Sequence, residues 1–315
     1  MHVVKHDKWH FNWSKDHEPV LHIKPGDTVK FEINEVTCGQ ITSESSAADL
    51  TKLDSSKLLP LTGPVFVEGA SPGDALIVRI RDVKIADWAW TAIIPGMGLL
   101  EEFNKPYLWI WKLTNRRYAL FKNDIRIPLR PFCGTIGVTP ADEGVVNAMP
   151  PGKHGGNMEL KHLTAGSTLI LPVWVNGALF SVGDIHAAQG EGELCIAAIE
   201  SPGEATFTFD LAKNARIDTP RFFTSGQQRS SRGCVGTTGM SPDLLTACKQ
   251  AVRSMIDYLT REHGLTREEA YILCSVAGDL VIHEVVDPSL TVGLMISRDI
   301  FSRLPNENRY LIERR

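Results

Sequence analysis

Four times the chain repeats one local pattern, a tight turn running into β-forming residues: KPGDTVKFEI (24–33), SPGDALIVRI (71–80), TAGSTLILPV (164–173) and SPGEATFTFD (201–210). Pro-Gly or Ala-Gly supplies the turn chemistry, and β-branched or aromatic residues follow. In KFEI and LIVRI the alternation approaches period two, as for a strand with one buried face. The copies are irregularly spaced, which excludes a solenoid. The pattern predicts an antiparallel sandwich or barrel of many short strands.

The final quarter reads differently. Ser241-Pro242-Asp243 reads as a helix start with proline at the first helical position and an acid in the first turn. Leu244, Leu245, Cys248, Val252, Met255, Ile256 and Leu259 follow at helical spacing, up to a stop at His263-Gly264. Thr266 to Glu269 has the form of a capping box, Gly278 closes that helix, and DLVIHEVVD (279–287) returns to strand. The expectation is a C-terminal αα-hairpin packed on the sheets, its apolar stripe forming core. Residues 1–150 then make an N-terminal β-domain, 151–235 a second β unit with the polar residues, and 236–315 the hairpin plus closing strands. The three are expected to pack as one body. The aromatic stretch 88–111 reads either as core strands joined by a loop or as a lid or subunit interface, with Met97, Leu99 and Leu100 at its tip.

Bulk properties exclude some partners. A net charge of −4 leaves no broad basic surface, so no nucleic acid is expected. Apolar runs such as LILPVWV fall short of a membrane span, and MHVVKHDKWHFNW contains no secretory apolar segment. No membrane partner and a cytoplasmic location follow as expectations. Cysteines 38, 133, 195, 234, 248 and 274 form no CxxC pair and read as reduced and mainly buried.

Chemistry concentrates in GDIHAAQGEGE (183–193), where functional side chains are spaced by glycine directly after the apolar run LFSV. Asp184 and His186 lie two apart, so on an extended strand both project from one face. A carboxylate and an imidazole on one face form two thirds of a common catalytic zinc set, with Glu191 or Glu193 near enough in the chain to move a proton. Read structurally, Asp184 is a turn residue and His186 a satisfied polar residue. A second polar knot, PPGKHGGNMEL (150–160), offers His154, Asn157 and Glu159. Nucleophilic alternatives are weaker. Gly69-Ala-Ser71-Pro-Gly73 matches GxSxG, yet Pro72 lacks the N–H that an oxyanion hole needs after the serine. Cys195 reads as a buried thiol in the strand LCIAAIE, and Cys234 has no neighbouring histidine in the sequence.

These stretches resemble the acetamidase/formamidase family. The resemblance rests on LTGPVFVEGASPGDAL (61–76), GTIGVTPA (134–141), PPGKHGGNMEL (150–160), LFSVGDIHAAQGEGELC (179–195) and AGDLVIHEVVD (277–287), in order along nearly the whole chain. It implies a mostly β fold, a distorted β-sandwich or barrel with added helices, and a homodimer or higher homo-oligomer. It also implies hydrolysis of a small non-peptide amide such as formamide or acetamide, with release of ammonia. Where the family often has GGNMD this chain has Glu159, and the stretch before its Gly-Gln is here Glu35-Val-Thr-Cys38-Gly39-Gln40.

The reading that joins residues and resemblance is a metal-dependent amidase. Asp184, His186 and Glu159 would hold a divalent ion, zinc being the expected one. Glu193 would be general base toward water and then acid toward the amine, and His154 or Asn157 would donate to the carbonyl oxygen. The alternatives are a cupin-like metal oxygenase, which needs a second histidine on the ion, and a non-catalytic small-amide binding protein.

Overall fold

The computed structural model describes residues 1–122, 125–225 and 231–301. In three of the repeated units the turn closes with a backbone bond three residues back: Asp27 N to Lys24 O, Asp74 N to Ser71 O and Ser167 N to Thr164 O, each 3.0 Å. The strands they launch, with Gly203–Ala212 from the fourth unit, stand side by side in one sheet in the order Thr28–Ile33, Gly203–Ala212, Ala75–Ile85, Thr168–Pro172, each antiparallel to its neighbour. Beyond Thr168–Pro172 the sheet continues through Arg221–Phe223, Cys234–Ser241 and Leu290–Ser297 to Gly278–Glu284. His2–Val4 adds a parallel edge beside Thr28–Ile33.

A second sheet runs Gly155–Asn157, Phe132–Val138, Phe180–His186, Leu61–Val67, Trp9–His10, with Leu21–Ile23 pairing parallel to Leu61–Val67. The antiparallel expectation therefore holds except at these two short pairings. Between the sheets lies the main core, where Phe31, Phe207 and Phe209 from the larger sheet meet Val65, Ile136, Phe180 and Val182 from the smaller. Period two explains how one strand serves two cores. In Ala75–Ile85, Leu76 and Val78 face the smaller sheet while Ala75 and Ile77 face the helices.

Helix α1 (Leu244–His263) and helix α2 (Arg267–Ala277) cover the outer face of the larger sheet through Ala247, Ala251, Met255, Leu259 and Cys274. The α1 start differs from expectation. Ser241 ends a strand, and Asp243 is the N-cap, its carboxylate accepting from Thr246 N at 2.8 Å. The first α1 residues, Leu244 and Leu245, are exposed rather than core, because they precede the turn that meets the sheet. The Thr266 capping box forms as expected. The aromatic stretch is a hairpin of Trp88–Ile93 with Tyr107–Lys112, and Met97, Leu99, Leu100 and Phe103 lie exposed between its strands.

Candidate active site

Strand Phe180–His186 is buried along its whole length and pairs with Phe132–Val138, placing Gly183 opposite Thr135. Thr135 also stands opposite Asn157 of the neighbouring strand. Three strands thus bring the GDIH and GGNME segments together. Asn157, Glu159, Asp184, His186, Glu193, Glu200 and Asp287 are all between 1% and 8% exposed. Three of these acids hold left-handed backbone: Glu159 (φ 55°), Asp184 (φ 59°) and Glu193 (φ 48°). Such conformations cost on the order of 1–3 kcal/mol each and gather where function requires a particular side-chain direction.

His186 is the hub. Its Nε2 lies 3.1 Å from Asp184 Oδ1 and 3.0 Å from Glu200 Oε2. Its Nδ1 lies 2.7 Å from Gln189 Oε1 and 3.1 Å from Glu159 Oε2. Glu159 is thus on the opposite ring nitrogen from Asp184. Its Oε2 has no aligned hydrogen bond among the described residues, because the Nδ1–H direction is taken by Gln189. The backbone of Gly134 makes room for Glu159: a Cβ there would stand 2.2 Å from Glu159 Oε1.

Burial of so many acids around one imidazole shifts every titration. Burial disfavours the charged imidazole, but Glu200, Glu159 and Asp184 overcome this and hold His186 well above the ordinary histidine range. Burial pushes Glu159 up, pushes Glu200 to about 8, and with Glu159 alongside drives Glu193 well above the carboxylate range. Asp184 alone is lowered, because the adjacent imidazole outweighs its burial.

Glu159, Asp184, Glu193 and Glu200 line a cavity of about 50 Å³ with Val36, Leu59, Met149, Asn157, Ile196 and Asp287. A single water needs roughly 10–15 Å³ on this measure, so the space suits a molecule of a few heavy atoms. Asn157 is held at both ends of its amide: it accepts from Thr135 Oγ1 at 2.8 Å and donates to Asp287 Oδ2. Asp287 is pushed to about 8 by burial and by Glu284. On the far side of Gln189 a larger cavity of about 660 Å³ is lined by Trp111, Arg130, Lys161, His162 and Glu191.

Of the residues expected from the sequence, Asn157, Glu159, Asp184, His186 and Glu193 converge on this site. His154 does not line the cavity. Its ring packs edge-on against Trp13, 5.1 Å between centroids, and burial lowers its pKa to about 4. Ser71 is a turn residue whose N–H bonds Asp74 Oδ2 at 2.9 Å. Cys195 lies in irregular backbone rather than the expected strand, its Sγ toward Ala197 O. Cys234 is buried in a strand, and Cys38 is half-buried with its thiol pushed up by burial and by Glu35. Two acids escaped the sequence reading. Glu200 closes what looked like an apolar strand, and Asp287 follows one. The signal in both was an acid ending an apolar run.

Among the described residues, no helix is long and apolar enough to cross a membrane. The profile of the Acetamidase/Formamidase family matches residues 2–148 and 141–303. The acetamidase of Mycolicibacterium smegmatis is 28% identical over 349 residues, 86% of this chain and 85% of that protein. The formamidase of Methylophilus methylotrophus is 28% identical, covering 93% of this chain and 89% of its own length. The crystal structure of an acetamidase from Bacillus halodurans superposes with a TM-score of 0.87 at 33% identity, covering 93% of this chain and 96% of that one. Matched along nearly its whole length, the chain belongs to the acetamidase/formamidase family, hydrolases of linear amide C–N bonds.

Proposed function

We propose that the chain hydrolyses a small non-peptide amide of the formamide or acetamide kind, releasing ammonia, with water activated by a bound divalent ion, zinc being the expected one. The observation that carries this reading is His186, clamped by acids at both ring nitrogens beside a cavity of about 50 Å³. So many buried carboxylates are tolerated when a cation shares their site, and the donor set of oxygens and imidazole fits one. Asp184, His186 through Nε2, and Glu200 would hold the ion, their donor atoms lying within 4.8 Å of one another. Gln189 accepting from Nδ1–H leaves Nε2 free for that role. When bound, such an ion polarises a carbonyl and lowers the pKa of water to about 7.

The chain's own residues do the rest. Glu193, facing the cavity, takes the proton from water and passes it to the leaving amine. Glu159 holds the Nδ1 side of His186, and Asn157 holds Asp287 in the cavity wall. The narrow space favours short acyl groups and an unsubstituted nitrogen. A cupin-like oxygenase is less well supported, because no second histidine joins His186 in either candidate metal group among the described residues. Exposed Tyr271, Ile272 and Val276 on α2, with the tip at Leu99 and Leu100, support a homodimer or larger homo-oligomer.

Ammonia release from a panel of short amides, before and after chelation and restoration of divalent ions, tests this reading. Release abolished by chelator and restored by ion is expected. Release indifferent to chelator removes the metal, and tight amide binding without release removes the hydrolase.

A further inference from the structure

We propose that Glu191 is a positioning residue for the reaction: pinned by His162 and His283, it sets the place of Glu193. The proposal rests on Glu193 being the acid–base group.

The carboxyl of Glu193 lies within 4.8 Å of His186 and Glu159 without a hydrogen bond to any described residue, so hydrogen bonds of its own do not place it. Its backbone does. Two residues earlier, Glu191 Oε1 lies 2.7 Å from His162 Nε2 and Oε2 lies 3.2 Å from His283 Nδ1. Between them, Gly192 N–H donates to His283 O at 2.9 Å, and Gly192 bridges to Glu284. The loop is therefore fastened to strand Gly278–Glu284 by side chain and main chain immediately before Glu193 turns into the cavity with φ 48°. The same seam serves the opposite wall: Glu284 Oε1 accepts from Asp287 N at 2.6 Å, and Asp287 lines the cavity.

Two imidazoles and a carboxylate with donor atoms within 4.8 Å also have the composition of a metal site. His283 argues for hydrogen bonds instead. A metal on Nδ1 would leave the proton on Nε2, and a ligating histidine normally donates that proton to an acceptor. His283 Nε2 is buried without a hydrogen-bond partner among the described residues, against Gly293, where a Cβ would stand 2.3 Å away. With the proton on Nδ1 and donated to Glu191, only a lone pair is left there, the less costly arrangement.

A double-mutant cycle decides the matter. Glu191→Ala is expected to lower kcat about 10- to 100-fold, the effect of misplacing a reacting group by about an ångström, with KM within about threefold. In the Glu193→Gln background the same change should cost less than about twofold, because the residue it positions is already gone. His162→Gln and His283→Asn, which keep an N–H near the lost ring nitrogen, should restore most of the rate lost in the alanine variants. An equal loss from Glu191→Ala in both backgrounds, or none in either, overturns the proposal. Full activity in Glu193→Gln alone overturns the acid–base reading itself, and the positioning role with it. If Glu191→Ala loses its near-ultraviolet circular dichroism, the cycle is run with Glu191→Gln, with the same outcomes.

Discussion

Gln189 Oε1 lies 2.7 Å from His186 Nδ1, where it would accept the Nδ1 proton if Nε2 serves as the proposed ligand. Removing the acceptor in Gln189→Ala should weaken divalent-ion affinity about 10- to 100-fold, as loss of a partner behind a ligating histidine does. Chelator-competition titration measures this. Unchanged affinity would place the ion elsewhere than on Nε2.

Glu200 and Glu159 make separable predictions, since they meet opposite nitrogens of the same ring. Glu200→Gln should purify largely depleted of ion, whereas Glu159→Gln should keep it and lose rate. Elemental analysis of the two variants side by side checks the assignment, and the reverse pattern would exchange their roles.

Glu193→Gln should fold, retain ion and lower kcat by roughly 10² to 10⁴, the usual contribution of general acid–base catalysis. Steady-state ammonia release is the measurement. Wild-type turnover in this variant would remove Glu193 from the chemistry.

Gly134→Ala places a methyl where Glu159 Oε1 now sits, 2.2 Å from the new carbon. Both are deeply buried, so the acid must move. A loss of roughly 1–3 kcal/mol in stability is expected from such overpacking, together with loss of activity. Denaturant midpoints and turnover test it, and a stable, active variant would show that Glu159 has room to shift.

His154 makes stability depend on pH. Burial lowers its pKa from the ordinary 6.5 to about 4. Between those values the unfolded chain binds a proton that the folded chain refuses, so this contribution is full above about pH 6.5 and is lost as pH falls toward 4. At about 1.4 kcal/mol per unit it amounts to roughly 3 kcal/mol. Burial shifts His10 the same way, also to about 4. Urea midpoints at about pH 7 and about pH 5 should differ less in His154→Gln than in the unsubstituted protein. An identical difference would assign the acid sensitivity to other groups.

What could be read along the chain was what neighbouring residues decide by themselves. The turn-and-strand units, the Thr266–Glu269 capping box and the two-residue spacing of Asp184 and His186 follow from backbone stereochemistry over a few residues. What the tertiary structure decided was which distant segments share a wall. The four units being immediate neighbours in one sheet, Glu200 meeting His186, Asp287 reaching Asn157, and Glu159 taking the opposite ring nitrogen from Asp184 all depend on strand order and loop path. His154 shows the same limit from the other side. Three residues before Asn157, it packs against Trp13 instead of lining the cavity, because the turn closed between Gly152 and Gly155 carries it, and the strand with Asn157 begins only after that turn. Local pattern specifies which faces are buried, but the partner each buried face meets is chosen only when strands from all parts of the chain pair.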